Sequence, residues 1–292
     1  MAYGSDGLGA RTQVTDVHVL RSGADAVVLV PDPARARAYT LRVGGTDQSY
    51  VDLDDPEHLE FDYVQRIADV VEVAFPTGQR IRAVHVGGAG MTVPRYLAAT
   101  RPRSAQVVLE PDAALTAFVR EHLPLPRHSG VKVREVDGRT GIAALRDAYA
   151  DLVVVDAFVG ARVPAELGTA EIFGDLRRVL APGGVLVLNL TDRGPLAYAR
   201  RVLAGLRASF PLTLLCAEPS TLKGRRFGNV VLIGSDRELS VVDLAARTGR
   251  APFPYRLLHG PRLDQLVGGA APYTEDDAEP SPAPPPDLLR LG

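Results

Sequence analysis

The 292-residue sequence contains a single cysteine, Cys216, and no tryptophan. One cysteine cannot form a disulfide within the chain or a thiolate zinc cluster, so the sequence favours a reducing compartment. Lysine occurs only at Lys132 and Lys223, and arginine supplies nearly all of the positive charge. The formal net charge of −2 gives no electrostatic basis for nucleic acid as the main partner.

Long apolar runs and metal-ligand spacings are also missing. No segment approaches the roughly 18 uninterrupted apolar residues of a membrane span, and the start, MAYGSDGLGARTQ, lacks the apolar core of a secretory signal. The six histidines are scattered without metal-ligand spacing. We therefore expect a cytoplasmic protein that has no membrane partner and binds no metal.

Composition divides the chain into four segments. Residues 1–13 are small and polar, and residues 269–292 combine acidic residues with prolines, so both ends are predicted to be disordered. Residues 14–78 contain short apolar runs broken by turn residues, followed by a helical pattern whose start is marked by Asp55. This segment predicts a β-rich N-terminal piece with a linking helix, and residues 79–268 predict an α/β domain.

From residue 81 onward, apolar runs alternate with stretches long enough for crossover helices. Such alternation predicts a parallel sheet covered on both faces, and two late runs without an apolar helix between them predict an antiparallel hairpin at one edge. The parallel runs are IRAVHV (81–86), AQVVLE (105–110), VKVREVD (131–137), ADLVVVD (150–156) and GVLVLNL (184–190), and the late pair is LTLLCAE and NVVLIGS.

The first parallel strand ends in a glycine-rich turn. Ligands of open parallel sheets bind beyond the carboxyl ends of the strands, and glycines let a ligand approach the backbone and the helix N-terminus behind it. The turn departs from the G-x-G-x-x-G dinucleotide fingerprint at its last glycine, and tight-turn chemistry alone accounts for it equally well. Its residues are Gly87, Gly88, Ala89 and Gly90.

Carboxylates end the next three strands, as Glu110, Asp137 and Asp156. A carboxylate at the second strand can accept both hydroxyl hydrogens of a ribose, and one at the third can accept from the exocyclic amine of adenine. Any one of these acids could instead cap a helix or face solvent. Together with the glycine turn, the three acids favour a nucleoside-binding site.

The late hairpin resembles the edge of the class I S-adenosylmethionine-dependent methyltransferase fold, in which a sheet of seven strands ends in such a pair. Within that superfamily the sequence resembles the spermidine synthase family of aminopropyltransferases. The resemblance is carried by VHVGGAG (84–90), VVLEPD (107–112), VDGR (136–139), VVVDAF (153–158), the long segment 163–190, and Glu60-Phe61-Asp62-Tyr63.

This resemblance implies an α/β fold with a Rossmann-like, seven-stranded methyltransferase-type sheet and a small β-rich N-terminal domain. It implies transfer of an aminopropyl group from decarboxylated S-adenosylmethionine to a small amine such as putrescine, with Asp156 as base or amine-orienting group and Tyr63 as its supporting hydroxyl. Family members often pair through the N-terminal piece, so the chain permits a homodimer. The implied nucleoside-binding residues are Gly87, Gly88, Ala89, Gly90, Glu110, Asp137, Gly138, Asp156 and Ala157.

Three positions depart from the family pattern. Gly90 and Val159 stand where the family usually has acids, and Gln65 stands where an acid is common. A polyamine needs several carboxylates, because a buried ammonium without an anion is costly. Three interpretations therefore stay open: a divergent aminopropyltransferase, a methyltransferase using intact S-adenosylmethionine, and a non-catalytic nucleoside-binding protein on the same fold.

Overall fold

A computed structural model of the chain describes residues 16–23 and 25–285. The predicted disorder of residues 1–13 falls outside the described residues. The first elements of the described residues form an antiparallel sheet of four strands, in which each strand pairs with the next one along the chain. These strands are β1 (His18–Arg21), β2 (Val27–Pro31), β3 (Ala38–Val43) and β4 (Thr46–Asp52).

Helix α1 (Asp62–Ala74) links this sheet to the rest of the chain. The prediction that it starts at Asp55 is wrong: residues 55–58 form a turn, in which the amide of His58 donates to the carbonyl of Asp55 at 3.0 Å. The cap lies six residues later, at Phe61, so the helix begins at Asp62 and presents Tyr63 in its first turn.

The remaining chain builds one mixed sheet in which strands alternate with helices. Its elements are β5 (Arg82–Val86), α2 (Thr92–Thr100), β6 (Ala105–Leu109), α3 (Ala113–His122), β7 (Val131–Arg134), α4 (Gly138–Ala143), β8 (Ala150–Val155), α5 (Ala170–Val179), β9 (Leu180–Asp192), α6 (Ala197–Ser209), β10 (Leu212–Ala217), α7 (Pro219–Leu222), β11 (Gly228–Ser235), α8 (Val241–Arg250), β12 (Arg256–Leu258) and α9 (Gly260–Val267).

The strand order of this sheet is β12-β10-β11-β9-β8-β5-β6-β7. The five neighbouring strands β7, β6, β5, β8 and β9 run parallel, and β11 and β10 run antiparallel, as the sequence predicts. The short strand β12 pairs with β10 and adds an eighth strand to the predicted seven. None of the helices that the structure describes is long and apolar enough to cross a membrane.

Two apolar layers cover the large sheet. Along β8, Val153 and Val155 face the layer formed with α5 and α6, whereas Leu152 and Val154 face the layer that contains α1. All four side chains are buried, because helices pack on both faces of the parallel sheet. The N-terminal sheet packs separately, with its β2 and β3 side chains against the apolar side of α3.

The prediction that the chain is disordered from residue 269 is wrong for residues 269–285. The carbonyl of Tyr273 accepts a hydrogen bond from the amide of Ala170 at 2.8 Å, at the start of α5. The side chain of Ser281 is fully buried. Contacts with distant elements therefore order this segment despite its polar, proline-rich composition, and residues 286–292 lie outside the described residues.

Candidate active site

The glycine turn after β5 lies between the ends of β8 and β6. Gly87 has φ +95°, and a Cβ there would overlap the carbonyl of Asp156. A Cβ at Gly88 would lie 2.9 Å from the Cβ of Glu110. Both positions therefore require glycine, because the turn backbone passes directly against two neighbouring strand ends.

Glu110 directly follows β6, is half-buried, and contacts the same turn through one carboxylate oxygen. Its Oε2 accepts hydrogen bonds from the amides of Gly88 at 2.9 Å and Ala89 at 3.3 Å. Its Oε1 accepts from the amide of Asp112 at 3.0 Å. The carboxylate and the turn thus hold each other in place at the edge where the sequence predicts a ribose.

Asp137 is exposed and caps α4, where its Oδ1 accepts a hydrogen bond from the amide of Thr140 at 2.8 Å. This hydrogen bond lowers the pKa of the Asp137 carboxyl below its usual value, so the group is ionised near neutral pH. The neighbouring Gly138 packs against the end of β5, since a Cβ there would overlap the side chain of Val86. Strand β7 ends at Arg134, three residues earlier than the sequence predicts, because Asp137 belongs to the helix cap.

Asp156 directly follows β8 and meets two side chains from other elements. Its Oδ2 accepts a hydrogen bond from the Tyr63 hydroxyl at 3.3 Å, and its Oδ1 accepts one from the amide group of Asn189 at 2.9 Å. Burial raises the pKa of Asp156 to about 6, although both hydrogen bonds act to lower it. Burial, together with the charge of Asp156, raises the pKa of Tyr63 well above its ordinary value, so its hydroxyl keeps its proton and acts as a donor.

Asn189 is a site residue that the sequence analysis misses. It lies on β9, is 1% exposed, and is the one amide in the otherwise apolar run GVLVLNL. A polar side chain inside a doubly covered strand needs a partner, and this is the signal that could have singled it out. Its partner is Asp156.

The three departures from the family pattern have different surroundings. Gly90 is buried against β4: its amide donates to the Ser49 hydroxyl at 3.0 Å, and a Cβ on Gly90 would lie 2.7 Å from the Cβ of Ser49. The Gln65 amide donates to the carbonyl of Leu59 at 2.7 Å. Val159 is 73% exposed.

Two further acids lie on the Tyr63 side of the site. Asp62 precedes Tyr63 in the first turn of α1, and burial and the nearby charge of Glu218 raise its pKa. Glu218 lies between β10 and α7 and forms an ion pair with Arg226 at 3.3 Å. Within the part of the chain that the structure describes, no group of three or more His, Cys, Asp or Glu side chains could hold a metal ion.

The sheet has five parallel strands followed by an antiparallel pair, with a glycine turn after β5 and a carboxylate after β6. This arrangement defines the class I S-adenosylmethionine-dependent methyltransferase-like superfamily. One solved structure, described as a probable spermidine synthase from Corynebacterium glutamicum ATCC 13032, is 30% identical and superposes with a TM-score of 0.82. That match covers 88% of this chain and 96% of the other. The chain belongs to the spermidine synthase family.

Other similar proteins are more distant in sequence. A polyamine aminopropyltransferase from Vibrio vulnificus (strain CMCP6) is 28% identical over 182 residues, which are 61% of this chain and 60% of that protein. The match thus spans less than two thirds of this curated relative. A spermidine synthase structure from Thermotoga maritima, 14% identical with a TM-score of 0.58, shares the fold and covers 86% of this chain and 87% of that one. No protein-family model matches the chain.

Proposed function

We propose that the chain is an aminopropyltransferase that moves the aminopropyl group of decarboxylated S-adenosylmethionine to a small amine. The observation that carries the proposal is the contact of Tyr63 with Asp156, which joins the linking helix to the end of β8 beside the glycine turn. The relatives named polyamine aminopropyltransferase and probable spermidine synthase support the same reaction.

In this proposal, Glu110 and Asp137 bind the nucleoside. Backbone amides use three of the four lone-pair sites of the Glu110 carboxylate, two on Oε2 and one on Oε1, so one site on Oε1 is available for a ribose hydroxyl. Asp137 uses Oδ1 in capping α4, which leaves Oδ2 for the exocyclic amine of adenine. The backbone of Gly87, Gly88, Ala89 and Gly90, with Gly138 and Ala157, lines the slot between them.

Asp156 has the properties that amine activation requires. Transfer needs a neutral amine, whose nitrogen lone pair attacks the methylene carbon beside the sulfonium. The carbon–sulfur bond breaks with its electrons going to sulfur, which yields the thioether methylthioadenosine. With a pKa of about 6, Asp156 is mainly ionised at pH 7.5, so it can bind the ammonium and accept its proton.

Tyr63 and Asn189 fix the direction of that carboxylate, since each donates to a different oxygen of Asp156. Each oxygen keeps one further acceptor site, which in this proposal serves the acceptor amine. Asp62, next to Tyr63, supplies a second carboxylate for an acceptor that carries two ammonium groups. The Asp62 carboxylate thus replaces part of the negative charge that the family usually has at the position of Gly90.

The proposal is tested by titration calorimetry with decarboxylated S-adenosylmethionine, the intact form and methylthioadenosine, combined with an assay of methylthioadenosine release with putrescine or spermidine. We expect the decarboxylated form to bind more tightly than the intact form, and release to depend on the amine. Tighter binding of the intact form would instead indicate a methyltransferase. Binding of none of the three would leave a non-catalytic protein on this fold.

We further propose a homodimer through the N-terminal sheet. Val19 on the edge strand β1 is 54% exposed, and Val17 just before it is 53% exposed. Exposed apolar side chains on an edge strand are typical of a surface that pairs with another chain. Light scattering of the chain and of a Val17→Lys, Val19→Lys variant tests this, and a wild-type monomer would contradict it.

A further inference from the structure

Residues 269–285 cross the edge of the sheet at which the candidate active site lies. The segment is anchored at Tyr273, which forms a bridge with Thr169 at the start of α5. The guanidinium of Arg201 on α6 lies 3.7 Å from the centre of the Tyr273 ring and also forms an ion pair with Asp277. Three separate contacts with α5 and α6 therefore fix the first half of the segment.

The second half of the segment is bonded to the loop that follows Asp156. The amide of Val163 donates to the Ser281 hydroxyl at 2.9 Å, and the amide of Ser281 donates to the carbonyl of Val163 at 3.1 Å. Arg162 donates through Nε to the carbonyl of Ser281 at 2.5 Å and through Nη2 to that of Pro280 at 3.1 Å. Four hydrogen bonds thus join two residues of the loop to two residues of the C-terminal segment.

The same segment also contacts residues next to Asp137 and next to Asn189, on two sides of the candidate site. Glu275 forms an ion pair at 2.5 Å with Arg139, which lies two residues after Asp137. Ser281 lies 3.4 Å from the hydroxyl of Thr191 on β9, oxygen to oxygen. Thr191 is two residues beyond Asn189, so both side chains lie on one face of the strand, and Asn189 holds Asp156.

We propose that residues 269–285 form a strap that holds the loop of residues 157–163 against the site, with Ser281 as its positioning residue. Ser281 is fully buried and bonds the loop through its main chain and its side chain. Through this loop the strap sets where the acceptor amine lies relative to Asp156. The statement about the acceptor rests on the proposed function, whereas the statement about the loop does not.

The first test measures how fast trypsin cuts after Arg162 in the folded chain, read by mass spectrometry. Cleavage there requires the loop to detach, and Ser281→Ala removes its side-chain bonds to Val163 and Thr191. We expect roughly tenfold faster cleavage. The matched control is Ser235→Ala: Ser235 is also fully buried and also bonds through its hydroxyl to a main-chain group, at the opposite end of the sheet. Equal rates of cleavage after Arg162 in Ser281→Ala and Ser235→Ala would contradict the proposed strap.

A second variant keeps the test decisive if Ser281→Ala does not fold. Arg162→Lys preserves the trypsin site and leaves Ser281 in place, but a lysine ammonium cannot reproduce the paired guanidinium bonds to the carbonyls of Pro280 and Ser281. It should also accelerate cleavage at residue 162, after correction for the intrinsic preference of trypsin on the unfolded chain. Unchanged protection in this variant contradicts the strap.

Kinetics separate positioning from mere structural support. In Ser281→Ala we expect the KM for the amine to rise roughly fivefold or more and the KM for the decarboxylated nucleoside to rise much less, because Glu110 and Asp137 lie outside the affected loop and only Ala157 of the proposed nucleoside site lies within it. A fall in kcat alone, or equal changes in both KM values, contradicts the positioning of the acceptor. If trypsin protection is lost as expected but the wild type transfers no aminopropyl group, the proposed function fails and the strap stands.

Discussion

Asn189 on β9 donates a 2.9 Å hydrogen bond to the carboxylate of Asp156 at the end of the neighbouring strand β8. The Oδ1 atom of Asn189 is buried and has no hydrogen-bond partner among the described residues, so this single bond orients its amide. Burial raises the pKa of Asp156 to about 6, and the Asn189 and Tyr63 bonds oppose that rise. The Asn189 and Tyr63 hydrogen bonds therefore favour the ionised form of Asp156, the group proposed to receive the proton.

We expect the transfer rate to fall below about pH 6, because Asp156 is then protonated and cannot accept the amine proton. The log of kcat/KM for the amine should decrease with a slope of one as the pH falls through the pKa. Asp156→Asn should lower the rate by roughly 100-fold or more while methylthioadenosine still binds. A profile without an acid limb near pH 6 contradicts this role.

The same pKa determines how Asp156 affects stability. Its folded-state pKa is raised from the usual 3.8 to about 6, so the folded state holds this proton more tightly than the unfolded state does. Stability from this group is thus fully present below about pH 3.8 and is lost as the pH rises through about 6. Asp156→Asn should therefore raise the free energy of unfolding at pH 8 by roughly 1 kcal/mol, measured by urea denaturation. A clear loss of stability at pH 8 would contradict a buried, costly charge.

Removing the Asn189 amide should raise the pKa of Asp156 further, since its hydrogen bond favours the ionised form. In Asn189→Ala the acid limb of the rate profile should move up by about 1 on the pH scale. The matched control is Asn229→Ala on β11, which changes an asparagine on the strand next to β9. If Asn189→Ala and Asn229→Ala shift the acid limb of the rate profile equally, the Asn189 hydrogen bond does not determine the pKa of Asp156.

Glu110→Gln should weaken methylthioadenosine binding by roughly tenfold or more, because an amide offers one acceptor atom where the carboxylate offers two. Calorimetry measures the affinity, and circular dichroism checks that the glycine turn still folds. Glu121→Gln on α3 serves as control, since this glutamate is exposed and precedes the end of its helix by one residue. Equal affinity in the two variants would remove Glu110 from the nucleoside site.

Gly90→Ala should destabilise the chain by roughly 1–3 kcal/mol, because its Cβ would lie 2.7 Å from the Cβ of Ser49 and the site must expand. Ser49→Gly in the same chain should recover part of this loss. Gly174→Ala is the matched control: Gly174 is exposed within α5, no described atom beyond its own helix backbone lies within 4 Å of its added Cβ, and this variant should gain roughly 0.5–1 kcal/mol of stability. Thermal unfolding measures all three.

Much of the fold could be predicted from the sequence because its signals are local. Each parallel strand is an apolar run followed at once by a turn or an acid, and parallel strand ends share one edge, so the approach of Glu110 to the glycine turn follows from chain order. Strand β12 has only three residues and forms no such run, so its addition to β10 could not be predicted.

The contacts that could not be predicted join distant parts of the chain. The segment 269–285 reads as disordered because it is polar and proline-rich, but Arg201, Arg139 and Arg162 supply partners for it from three other places in the sequence. Composition reports how much apolar surface a segment can bury and says nothing about partners elsewhere. The bond of Asn189 to Asp156 escapes prediction for the same reason, since it depends on the pairing of β8 with β9.

The hydrogen bond from the Gly90 amide to Ser49 makes the N-terminal sheet a structural part of the glycine turn. A fragment that starts after β4 would leave a buried amide without an acceptor and expose the apolar side of α3. The two sheets should consequently melt in one cooperative transition, and grafting the first sheet from another family member would alter nucleoside affinity as well as any pairing between chains.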